Sequence, residues 1–148
     1  ELKNIKVPTT IMTNSAENNG NIFGAVDYLN HKKDIINTGV TIKEYEGGIS
    51  YHGKSMTIDD DIAIVGSFNM DMRSAYIDTE LMLVINSKYI NKQLKASMEE
   101  YEKKAATVKN ETEYSHIPEG MKMKELSDKK KNIKAWFGWA MNGLRFLF

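Results

Sequence analysis

The hydrophobic and polar positions of this 148-residue chain change period several times along its length. Val7–Thr13 (VPTTIMT) is β-branched and apolar, which predicts a strand, with Pro8 placing its start at an edge or first position. A polar loop, NSAENNGN, fills residues 14–21. Ile22, Val26, Leu29, Ile35 and Ile36 then recur at helical spacing, and Gly39 closes that helix as a C-terminal cap. Val40–Tyr45 predicts the next strand, so the first 45 residues read as a βαβ unit with a parallel, right-handed crossover. Three short strands follow near 50–58, 61–68 and 79–86, the first two joined by a turn at Asp59–Asp61. Tyr89 to about Ala106 reads as a polar amphipathic helix, and Thr107–Asp128 as loop. These elements predict an α/β fold with a mixed, largely parallel sheet flanked by helices.

The last segment, KKKNIKAWFGWAMNGLRFLF, is different. Ile133, Trp136, Phe137, Ala140, Met141 and Leu144 recur at three- and four-residue steps, while Lys130, Lys131, Lys134 and Arg145 surround them with positive charge. Residues 121–148 carry a net +5 and residues 1–120 a net −5, so a formally neutral chain hides a basic tail. A basic amphipathic helix here suits the interface of an anionic membrane. It equally suits a terminal helix docked on its own domain, and Phe146–Phe148 end the chain on apolar residues. No apolar run approaches the length of a transmembrane span. The chain opens on Glu1 rather than methionine, and a longer parent protein is expected.

Composition is that of an ordinary globular domain, 41% hydrophobic and 27% charged, large enough for one real core. The absence of cysteine excludes disulfides, zinc–thiolate sites and thiol chemistry. The acidic run Asp59–Asp61 lacks the spacing of a calcium loop, and no metal or other cofactor is expected.

Chemistry concentrates in HGKSMTID, residues 52–59, and in GSFN, residues 66–69. On an extended backbone His52 and Lys54 share a face, as do Ser67 and Asn69. Gly66 lets another group approach the backbone closely. Lys54 and Asn69 can neutralise and hydrogen-bond non-bridging phosphate oxygens as charge builds in a transition state. His52 can attack phosphorus if a carboxylate fixes its tautomer, and Glu80 is the nearest sensible carboxylate. A lone histidine is usually structural, but a long pattern of fixed polar positions, continuing to Arg73, Ser74 and Glu80, rarely arises by accident.

HGKSMTID followed by DIAIVGSFNMDMRSAYIDTELMLVI resembles the HxK-x4-D half-site of the phospholipase D superfamily, most closely its bacterial cardiolipin synthase-like branch. TNS at 13–15 and NTGVTIKEYE at 37–46 match that branch as well; Met70 and Met72 stand where it often has leucine and proline. The resemblance implies a phospholipase D-like half-domain over 1–106, with a linker and tail over 107–148. It implies catalysis by His52, phosphate binding by Lys54 and Asn69, support from Ser67 and Gly66, and Glu80 orienting His52. Asp59 would be structural, holding the turn.

Members of this family cleave or exchange phosphodiesters through a phosphohistidine, without metal, using two HxK motifs. This chain holds one, since His31 lies on a solvated helical face and His116 in a polar loop. The second motif is expected upstream in the same protein or in a second copy. Phospholipid is the expected substrate, with water or an alcohol as acceptor and a membrane-associated location. The alternatives are a nuclease of the same superfamily working as a homodimer, which the acidic surroundings of the motif disfavour, and a non-catalytic scaffold half.

Overall fold

A computed structural model describes residues 2–144, with the helix backbone alone for 139–142 and 144. The chain forms two compact units, one from the residues up to Tyr51 together with Tyr101–Asn142, the other from His52–Glu100.

In the first unit, strand β1 (Thr10–Asn14) leads through a loop to helix α1 (Ile22–Ile36) and back to strand β2 (Thr41–Tyr45). Asn21 caps α1, its side-chain oxygen accepting from the N–H groups of Phe23 and Gly24. Gly39 supplies the positive φ that turns the chain after the helix. β1 and β2 pair in parallel, as the sequence pattern predicted, with Thr10 opposite Thr41 and Asn14 opposite Tyr45.

The parallel character ends with that pair. Strand β6 (Ala105–Val108) runs antiparallel to β2, and strand β7 (Tyr114–His116) antiparallel to β6, giving the sheet order β1-β2-β6-β7. Both strands lie where helix end and loop were expected. Ala105 and Ala106 are strong helix formers, but here they are buried beside β2, so packing overrides propensity.

The core of this unit mixes Ala25, Val26, Ile42, Tyr45, Ala105 and Ala106 with buried charge. The Lys32 ammonium lies 2.8 Å from Glu44, their side chains 6% and 3% exposed. Tyr28 donates to one oxygen of the same carboxylate at 2.6 Å, and Tyr114 to the other at 2.5 Å. Burial and the Glu44 charge push both phenols well above the usual tyrosine range.

Helix α4 (Asp128–Leu144) belongs to this unit as far as Asn142. Lys130, expected on a basic outer face, is buried: its ammonium donates to the carbonyls of Ala16, Glu17 and Asn19 at 2.8, 2.6 and 3.0 Å. The Ser127 N–H donates to Glu17, and Asn30 donates to the Gly138 carbonyl. The helix is therefore docked on its own unit through these polar groups. Trp136 and Phe137 of its apolar stripe are 77% and 59% exposed. The side chains of Ala140, Met141 and Leu144, and the whole of Arg145 and Phe146–Phe148, lie outside the described residues.

The second unit is an antiparallel sheet of β3 (Ser55–Ile58), β4 (Ile62–Gly66) and β5 (Met82–Asn86), in the order β3-β4-β5. A one-and-a-half-turn helix, α2 (Met72–Tyr76), follows β4 and is capped by Asp71, which accepts from the Ser74 N–H. Helix α3 (Lys88–Glu102) starts after β5, where the fully buried Asn91 donates to the Ile62 carbonyl at 2.6 Å. β4 and β5 read as continuous apolar runs, the pattern of strands covered on both faces. Yet Met56, Ile58, Leu83 and Val84 are exposed.

Candidate active site

The motif residues all belong to the second unit. His52 and Lys54 lie just ahead of β3, which starts only at Ser55, and not inside a strand as expected. One ladder bond still reaches them: the Gly66 N–H donates to the Lys54 carbonyl at 3.0 Å. The side-by-side placement expected of positions i and i+2 is present. Lys54 Nζ sits 2.7 Å from His52 Nε2, 2.9 Å from Nδ1 and 3.2 Å from the His52 carbonyl oxygen. A cation and an imidazole are thus held together on an exposed surface, where a phosphate could meet both.

The turn between β3 and β4 is built at Asp59, which takes a φ of 48° that aspartate tolerates better than most residues. Its carbonyl accepts from Lys95 at 2.5 Å, and Lys95 also pairs with Asp60 at 2.7 Å. That ammonium holds the Asp60 carboxyl below its usual range.

β4 ends at Gly66, so Ser67 and Asn69 occupy the loop beyond it. Gly66 faces β5 so closely that a Cβ would lie 2.2 Å from the Leu81 carbonyl oxygen and 2.4 Å from Met82 Sδ. The glycine in this motif is a steric requirement of the sheet. Ser67 then binds the two residues ahead of β5 in three ways: its N–H donates to the Leu81 carbonyl, its hydroxyl accepts from the Leu81 N–H, and the same hydroxyl donates to Glu80. Asn69 is half-buried in the same loop.

Glu80 was expected to orient His52. Here its carboxylate takes a hydrogen bond from Ser67, while the polar neighbour of the His52 ring is Lys54. The Ser67 hydroxyl, then Ser74, and the charge of Lys54 hold the Glu80 carboxyl below its usual range, so it is ionised at neutral pH. Arg73, another residue of the pattern, pairs with Asp78 at 3.0 Å and so braces the α2 turn.

Neither of the other histidines shows site chemistry. His31 lies on α1 beside Asp27 and Asp34 at 3.5 and 3.9 Å, and His116 is on the edge strand β7.

A family model described as "Cardiolipin synthase, PLD-like domain" matches residues 1–101. Cardiolipin synthase A of Wigglesworthia glossinidia brevipalpis is 35% identical over 68 residues, 46% of this chain and 14% of that protein. Cardiolipin synthase A of Yersinia pseudotuberculosis serotype O:1b is 33% identical over 78 residues, 53% of this chain and 16% of the relative. The chain thus spans only a small part of the curated relatives it matches. Among solved structures, the phospholipase D family member Nuc from Salmonella typhimurium shares the fold, with a TM-score of 0.54 at 17% identity over 70% of this chain and 66% of that one. With the motif, the fold and two thirds of its length in agreement, the chain belongs to the phospholipase D-like domain family of cardiolipin synthase.

Proposed function

We infer that this chain supplies one HxK half-site of an enzyme that cleaves or exchanges phospholipid phosphodiesters. The observation that carries this reading is the Lys54 ammonium held within 2.9 Å of both His52 ring nitrogens. One histidine of such a site attacks phosphorus and forms a P–N bond as the P–O bond to the leaving alcohol breaks. A second histidine gives its proton to that alcohol. Water or a new alcohol then attacks phosphorus, returns a proton to the second histidine, and the P–N bond breaks. Lys54 and Asn69 would hold the non-bridging oxygens, and the Ser67–Glu80 pair would keep the loop carrying Asn69 in place. The two histidines need opposite protonation states in one step, so His52 takes one role and a second HxK, from another copy or another part of the parent protein, takes the other. The exposed apolar side chains of β3 and β5 give that second half a surface to cover.

The test is turnover of a fluorogenic phosphatidyl ester by the complete protein. His52→Ala should reduce it by about a thousandfold or more without changing the circular dichroism spectrum. A His52→Ala protein with near wild-type turnover refutes the reading, and turnover on single-stranded DNA alone moves the substrate class to nucleic acid.

Membrane association belongs to the same reading. Trp136 and Phe137 project from a docked helix beside exposed Lys129, Lys131 and Lys134, a pairing suited to an anionic lipid surface. Among the described residues no helix is long and apolar enough to cross a membrane, so the attachment by this segment would be peripheral. Replacing Trp136 and Phe137 with serine should weaken co-sedimentation with phosphatidylglycerol vesicles, and 0.5 M salt should weaken it further. Equal sedimentation of variant and wild type removes this part of the reading.

A further inference from the structure

The TNS segment at residues 13–15 has no assigned role, and its contacts suggest one. Asn14 ends β1, is buried, and bonds the backbone of one residue twice: its Nδ2 donates to the Tyr51 carbonyl at 2.7 Å, and its Oδ1 accepts from the Tyr51 N–H at 2.8 Å. A side-chain amide thereby imitates a strand partner for a residue that belongs to no strand. Tyr51 is the residue joined directly to His52.

The rest of the segment leading to Tyr51 is strapped down in the same way. Buried Asn18 donates to Asn14 Oδ1 at 3.1 Å and to the Ile49 carbonyl at 3.2 Å, and accepts from the Gly48 N–H at 3.0 Å. The Gly20 N–H donates to the Ser50 hydroxyl. The Tyr51 ring packs against Tyr101 and Tyr45, with centroids 4.5 and 6.2 Å apart. Backbone and ring are both fixed one peptide bond before His52. Gly48 and Gly47 in the approach would otherwise leave it the most pliable stretch ahead of the motif.

We propose that Asn14 is a positioning residue for His52, fixing the peptide through which the histidine enters the motif, with Asn18 holding Asn14 in the required rotamer. This rests on the reading of His52 as a reacting group. A positioning residue acts on the rate of the chemical step, because misplacing a reacting atom by about 1 Å costs roughly a hundredfold. It leaves substrate capture by Lys54 and Asn69 in place. Asn14→Ala should therefore lower kcat by roughly ten- to a hundredfold with KM little changed. Asn14→Asp, which keeps the acceptor for the Tyr51 N–H and loses the donor, should fall between.

Asn91→Ala in the complete protein is the control. Asn91 is at least as deeply buried and also bonds a backbone carbonyl, that of Ile62. Ile62 is at the end of β4 opposite Ile58, whereas Lys54 is bonded at the Gly66 end, so losing Asn91 should lower stability and leave kcat per folded molecule unchanged. A second readout does not depend on activity. In NMR spectra of the complete protein, Asn14→Ala should abolish exchange protection of the Tyr51 amide and shift the His52 ring resonances, leaving those of His31 and His116 in place. A wild-type kcat for Asn14→Ala, a loss no greater than the loss of folded protein, or unmoved His52 resonances would overturn the proposal. If His52→Ala itself retains turnover, the catalytic reading has failed, and positioning for catalysis fails with it. A shifted His52 ring in Asn14→Ala would then mark Asn14 as a structural clamp only.

Discussion

Replacing Glu44 with leucine tests how the first unit is held together. The carboxylate accepts from Lys32 at 2.8 Å, Tyr28 at 2.6 Å and Tyr114 at 2.5 Å, with almost no exposure. At an effective dielectric of about 20, the Lys32–Glu44 attraction is roughly 6 kcal/mol, which about offsets the several kcal/mol needed to desolvate each ion. The intact pair therefore contributes little net stability. Removing one member is another matter, because it leaves a buried ammonium and two phenols without an acceptor. That should cost about 3–5 kcal/mol, a large part of the ~5–15 kcal/mol that keeps a domain folded. With an m-value of about 2 kcal/mol/M, the urea midpoint should fall by ~2 M. Lys32→Met alone should cost a similar amount. The double variant Lys32→Met/Glu44→Leu should cost clearly less than the two singles together, with an interaction of about 1–3 kcal/mol measured by the cycle. Changing Tyr28 and Tyr114 to phenylalanine in that background should recover more, since it removes the last unpaired hydroxyls. Strictly additive single effects, or a midpoint shift below ~0.5 M for Glu44→Leu, would refute the buried-network account.

The same tyrosines give a pH prediction. Their native pKa values are raised, so their contribution is complete below the unfolded value near 10 and is lost as pH rises beyond it, when the unfolded chain releases protons that the native protein retains. In an alkaline titration followed at 295 nm, Tyr28 and Tyr114 should ionise only as the unit unfolds, and Tyr28→Phe/Tyr114→Phe unfolding at an unchanged alkaline midpoint would refute this. Gly66→Ala should cost about 1–3 kcal/mol, because the Leu81 backbone oxygen 2.2 Å from the new Cβ cannot swing aside. It should also reduce turnover through the adjoining Ser67–Glu80 pair, whereas wild-type melting and wild-type rates together would show that β4 and β5 separate freely.

How much of this was readable beforehand differs between elements. The βαβ start was legible because its periods are clean and a glycine, Gly39, marks the turn after its helix, although the helix itself ends at Ile36 with Asn37 as its cap. The motif was legible because its spacing is long and its residue types are chemically unusual together. What failed has physical causes. Ala105–Val108 follows a helix without any breaker and begins with two alanines, so only its pairing with β2 makes it a strand. β7 and α2 have three and five residues, too few to display a period. A sheet read as largely parallel has one parallel pair, because β6 and β7 supply antiparallel neighbours that the sequence did not announce. Glu80 was expected to orient His52 from its place at the head of the strand after the motif and from the family resemblance; the hydrogen bond it takes from the Ser67 hydroxyl could not be read from spacing. Lys130 was placed with the surface lysines because nothing in a lysine's neighbours along the chain reveals that three carbonyls from another segment converge on it.

Those three carbonyls also bear on the order in which the protein is made. They belong to the turn between β1 and α1, and their partner follows them by 114, 113 and 111 positions. Contacts of such separation pay the largest loop-closure entropy and are rewarded late in folding. On the ribosome, the β1–α1 turn must wait with its oxygens hydrated until Lys130 has emerged. Lys130 is therefore a clock as well as a clasp: an amine-acylating reagent should mark it in nascent or unfolded chains and spare it once the first unit has closed.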